Sequence, residues 1–89
     1  MSASLVLPER VVFADATALL TALRSTAPTA PVVQIDASAL QTFDSSVVAV
    51  LLALQRQLVA RGQSLQLCQR SDRLQALLTL YGVAELLPA

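Results

Sequence analysis

Short runs of β-branched and leucine residues alternate along this chain with longer stretches in which apolar residues recur every three or four positions, the pattern of strands followed by helices. Leu5 and Leu7 alternate with Ser4, and residues 11–13 are β-branched and aromatic. Pro8 between the two segments predicts an edge strand or a break. Asp15 or Thr17 can cap a first helix whose inner side carries Leu19, Leu20 and Leu23, and Pro28 and Pro31 end it. Val32, Val33 and Ile35 lie in a short strand that reads as buried. A helical pattern then runs over residues 44–61, with Gly62 as its C-terminal cap. Leu65 and Leu67 alternate with polar neighbours over residues 64–69, as in a strand with one buried face. Ser71 can cap a last helix bearing Leu74, Leu77, Leu78 and Tyr81, which Gly82 stops. This order predicts an α/β fold, a single domain over residues 1–89 with a mostly parallel β-sheet and helices packed against it.

The longest helix is the unusual element. At 100° per residue, Val47, Leu51, Leu54 and Leu58 share one face, the expected core side. Val48, Leu52 and Val59 fall on a flank about 100° away, beside Ser45. Arg56, Ala49, Ala60 and Ala53 follow, a far side of mostly small residues where an ordinary surface helix carries charges. Two readings stand side by side: extra core packing, or a face on which another protein docks closely. Ser45, Ser46, Val48, Ala49, Leu52 and Arg56 are the residues expected at such an interface. Asp44 precedes the helix as its expected N-cap, and the two serines sit in the first turn, at a helix end suited to anions.

Composition removes most alternatives. Histidine is absent, so no Ser-His-Asp or Cys-His arrangement can form. The one cysteine, Cys68, closes no internal disulfide and leaves no plausible zinc site. Two glycines, Gly62 and Gly82, do not make a phosphate-binding loop. No enzyme activity, cofactor or metal is expected. Six arginines balance six acids with no basic cluster, which argues against nucleic acid as a partner. Charged residues make up 13% of the chain and hydrophobic ones 55%, so part of the surface is expected to be covered by a partner. The longest apolar run, residues 47–54, is too short to cross a bilayer, which takes about 20 residues. The N-terminus lacks the pattern of a secretion signal, so a cytoplasmic location is expected.

The order VVQIDASALQTFDSSVVAVLLALQRQLVARGQSLQL resembles the STAS domain family, named for sulfate transporters and anti-sigma factor antagonists. That family has a strand ending in Asp, here Asp36, and then Asp-Ser-Ser-Gly opening a helix, here Asp44, Ser45 and Ser46. The resemblance covers nearly the whole chain and implies a small STAS-type fold with its N-terminal strand hairpin shortened. The ending over residues 80–88 is similar to the STAS subunit of Mla-type phospholipid ABC transporters. That similarity implies a non-catalytic accessory subunit that binds and stabilises the cytoplasmic ATPase of the transporter, sits at the inner membrane through that complex, and serves outer-membrane lipid asymmetry. In Mla-type relatives a hydroxyl residue directly after the Asp contributes to ATPase binding, and Ser45 holds that place. In the antagonists the second serine, here Ser46, accepts a phosphate and a glycine follows. Val47 stands there instead, and its β-branched side chain crowds the approach to the hydroxyl. The alternative function is thus an anti-sigma factor antagonist switched by phosphorylation of Ser46.

The other candidates carry structural readings. Cys68 is expected to be a small residue of low reactivity in a strand. Asp36 and Asp44 are explained by strand-end and cap roles rather than by acid/base chemistry. Tyr81 reads as a packed helix residue, and Arg56 and Arg61 as solvated charges.

Overall fold

The computed structural model describes residues 2–87; Pro88, the last residue of the similarity noted above, lies outside them. Three strands, β1 (Ser2–Val6), β3 (Val32–Asp36) and β5 (Ser64–Cys68), form a parallel sheet in the order β1-β3-β5. Its register sets Leu5 beside Ile35 and Ile35 beside Leu67, with Ala3, Val33 and Leu65 in the row below. Side chains alternate across a pleated strand, so these residues share one face, and on it Val33, Ile35, Leu65 and Leu67 are buried. The opposite face is different. Val32, Gln34, Asp36, Gln66 and Cys68 are only half-buried there, and the amides of Gln34 and Gln66 bond to each other at 3.3 Å. The strand read as buried is therefore buried on one side alone, and Cys68 sits at the end of the other.

The two N-terminal strands do not pair with each other. Pro8 falls in the break between β1 and the two-residue β2 (Arg10–Val11), which joins a separate parallel pair with β4 (Thr42–Phe43). Phe13, read as a strand residue, instead opens helix α1 (Phe13–Thr26), because the chain turns directly out of β2. Neither Asp15 nor Thr17 caps that helix: the cap position is Val12, whose side chain accepts nothing. Asp15 lies in the first turn, where a carboxylate suits the positive helix end, and pairs with Arg10 at 3.3 Å. The inner side of α1 is as expected, with Leu23 buried and Leu19 and Leu20 packed against the core.

Helices α2 (Ser46–Ala60) and α3 (Asp72–Leu80) end alike. Gly62 (φ +76°) and Gly82 (φ +68°) take the left-handed conformation that L-residues avoid. The amides of Gly62 and Gln63 reach back to the carbonyls of Val59 and Leu58 at 3.0 and 2.9 Å, and those of Gly82 and Val83 to Thr79 and Leu78 at 3.0 Å each. Both are Schellman caps. Ser71 caps α3 as expected, its hydroxyl accepting from the Leu74 amide at 3.2 Å. The core is one cluster joining the helices to the inner sheet face, and Val47, Leu51, Leu54 and Leu58 of α2 have no exposed surface at all. Gln63 is buried beside them, its amide donating to the carbonyls of Pro28 and Ala30 at 2.7 Å each, which fastens the loop after α1.

Candidate docking site

The short β2–β4 pair decides where the site lies. Because β2 runs straight into α1 and β4 into α2, pairing Val11 with Phe43 sets the first turns of the two helices side by side. Asp44 occupies the junction. Its amide donates to the Val11 carbonyl at 3.3 Å, and its carboxylate serves both helices. Oδ1 accepts from the Ser46 amide at 2.9 Å and from the Ser46 hydroxyl, while Oδ2 accepts from the Phe13 amide at 3.0 Å. The capping role read for Asp44 is present, with Ser45 at the formal cap position and making no side-chain cap bond. The second role, closing α1 from 31 residues away, is the cap that α1 lacks locally. Donation by the Ser46 hydroxyl and amide, and then by the Phe13 amide, holds the Asp44 carboxyl below its ordinary pKa, since each bond favours the ionised form. Asp36 is lowered in the same direction by the Ser38 amide and hydroxyl, and Oδ1 accepts that amide at 2.8 Å in a turn beyond β3.

The residues expected at an interface divide unequally. Ser45, Ala49 and Arg56 are exposed on the outer side of α2, Leu52 is half-buried beside them, and Ser46 is half-buried with its hydroxyl turned to Asp44. Val48 differs: at 6% exposure it belongs to the core and offers a partner almost nothing. On the helix wheel Val48 falls on the same side as Gln55, which bonds the Leu86 carbonyl of the C-terminal segment. The stripe that stays open is Ser45, Ala49, Leu52, Arg56 and Val59, with Val59 at 60% exposure.

Two shallow grooves mark the surface, the first of which shares Ala49 and Arg56 with this stripe. One, of about 360 Å³, runs between α1 and α2 over Ala16, Leu20, Ala49 and Ala53, with Arg56 as its charged lining residue. The other, about 350 Å³, lies where β4 meets α3, between Phe43, Asp44, Arg73, Ala76, Leu77 and Leu80. Sequence reading passed over the second, because Phe43 and Asp44 come from one segment and Arg73, Leu77 and Leu80 from another, and only the fold brings the two together. Phe13, at 83% exposure beside Asp44, was likewise missed. Tyr81, read as packed, closes α3 half-exposed.

Neither groove gathers several polar side chains around an enclosed volume, and among the described residues no three potential metal-binding side chains converge. No helix among the described residues is long and apolar enough to cross a membrane.

The family model described as "Mlab, STAS domain" matches residues 2–88. A solved structure, that of a sulfate transporter family protein from Wolinella succinogenes, is similar with a TM-score of 0.79 and 24% identity, over 97% of this chain and 70% of that one. That likeness establishes a shared fold. No curated protein matches the sequence.

Proposed function

The chain belongs to the STAS family, and from that premise we propose that it is a non-catalytic accessory subunit of an Mla-type phospholipid ABC transporter, binding and stabilising the transporter's cytoplasmic ATPase. The observation that carries this reading is the outer face of α2, where the exposed Ser45 hydroxyl heads a stripe of Ala49, Leu52, Arg56 and Val59 that this fold leaves uncovered. Such a helix face, low in charge and with small residues along it, lets a partner's backbone approach closely. Ser45 directly follows Asp44, the place at which the family resemblance puts a hydroxyl that contributes to ATPase binding. Asp44 commits its carboxylate to the Phe13 and Ser46 amides, so its part in this face is to position Ser45.

A phosphorylation switch at Ser46 finds less support, because the Ser46 hydroxyl is committed to Asp44. The complex is expected to bury a standard interface of roughly 800 Å² per partner. Binding to the folded ATPase and not to its unfolded form stabilises it by mass action. The test is ATP hydrolysis and thermal stability of the transporter complex, reconstituted with and without this chain. Lower activity or a lower melting temperature without it is expected, and equal values in the two preparations overturn the proposal.

A further inference from the structure

The geometry points to a second contact surface, the groove between Phe43, Arg73, Leu77 and Leu80, which receives a bulky apolar side chain of the ATPase while a carboxylate next to that side chain pairs with Arg73. This inference rests on the ATPase reading above and adds to it the residues and the partner chemistry.

Arg73 carries the argument. Its guanidinium lies 4.8 Å above the Phe43 ring, and Nη1 donates to the Gln41 carbonyl at 3.2 Å. An arginine held by a ring and a carbonyl has already lost much of the freedom that binding would take from it, so a partner gains more from meeting it. Yet it makes no ion pair with any described residue. The ion pair found among the described residues is Arg10–Asp15, and Asp44, the carboxylate on the groove's rim, already accepts from Phe13 and Ser46. The guanidinium therefore has no ion-pair partner within the described fold, and its complement on a partner is an anionic group.

The apolar half of the groove points the same way. Leu80 is 79% exposed and Leu77 is half-buried beneath it, around a hollow of about 350 Å³. A fixed arginine beside an open apolar hollow matches the make-up of binding hot spots, in which an anchor fills a pocket and arginine is enriched. A lipid surface fits less well, because attraction to anionic membranes takes a cluster of basic residues and this hollow is lined by a single cation.

The test measures affinity of the purified chain for its cognate Mla-type ATPase, comparing wild type with Arg73→Glu, Arg73→Lys and Leu80→Asp. Arg24→Glu, at the end of α1 and outside the groove, is the control for overall charge. Arg73→Glu and Leu80→Asp are expected to weaken binding at least tenfold, Arg73→Lys less, and Arg24→Glu less than twofold. Circular dichroism checks folding, and because Leu80 is so exposed its variant stands if Arg73→Glu fails to fold. Wild type that binds no ATPase sinks the function reading. Wild type that binds, with Arg73→Glu and Leu80→Asp indistinguishable from Arg24→Glu, overturns this inference and leaves the function reading intact. Groove variants that instead abolish binding to phosphatidylglycerol vesicles, or break up a homodimer, also overturn it.

Discussion

Leu51 and Leu52 are neighbours on α2 with opposite surroundings, and an aspartate at each separates folding from docking. Leu51 has no exposed surface. An aspartate there loses a buried leucine, about 1.5–3 kcal/mol, and must either ionise without a partner or bury a neutral carboxyl, at a further cost of several kcal/mol. A domain of this length holds about 4–13 kcal/mol in all, so Leu51→Asp is expected to be unfolded or nearly so. Leu52 is half-buried and packs against the edge of the core. An aspartate there forfeits part of one leucine's burial, about 1 kcal/mol, and keeps its carboxylate in water. The free domain then remains folded. In the complex that carboxylate is enclosed against the partner, and loss of a central contact costs about 2 kcal/mol or more, a weakening of about thirtyfold. Urea unfolding followed by circular dichroism reads the first quantity, and titration against the cognate ATPase reads the second. A folded Leu52→Asp that binds within twofold of wild type, or one that unfolds as readily as Leu51→Asp, refutes the assignment of this face.

The cap at Asp44 carries a pH signature: its folded-state pKa lies below the ordinary value of 3.8, so its contribution is complete above that pH and lost as pH falls through the lowered one. Asp44→Asn is expected to melt below wild type near neutrality, with the gap closing below about pH 3.8; a gap unchanged from pH 7 to pH 2 contradicts the capping role. Gly62→Ala places a Cβ at φ +76° and is expected to cost about 1 kcal/mol by denaturant unfolding; because no atom lies within 4 Å of that Cβ, a loss beyond about 3 kcal/mol would show that more than backbone strain is at work.

Local signals were legible and long-range ones were not. Both glycine caps, the Ser71 cap and the core face of α2 each depend on residues within one or two turns, and the structure places all of them as read. The cap of α1 could not be found that way, because the acceptor for the Phe13 amide belongs to Asp44, 31 residues on. Asp15 and Thr17 were the nearest residues of the right type, and proximity alone favoured them. Val48 failed for a related reason. Periodicity put it on a flank of α2, but tertiary packing draws it into the core cluster at 6% exposure. Residues 11–13 read as a strand because Val, Val and Phe favour strands. Pairing with β4 stops at Val11, however, and Phe13 starts a helix despite its composition.

The position after the serine pair ties these findings to function. Where the phosphorylated relatives are described by a glycine, this chain has Val47, and the structure places that side chain in the core with no exposed surface. The first turn of α2 is therefore pinned from below by Val47 and from its end by Asp44. A helix N-terminus attracts a phosphate through free amides, but the Ser46 amide is already given to Asp44, and so is the Ser46 hydroxyl. A phosphoryl group on Ser46 would remove the hydroxyl's bond to Asp44 and then stand beside a carboxylate whose lowered pKa keeps it charged at any physiological pH. With its polar groups consumed by the chain's own aspartate, this helix end has little left with which to sense an anion. What it still offers a partner is the Ser45 hydroxyl and the apolar surface that Asp44 holds in place on either side.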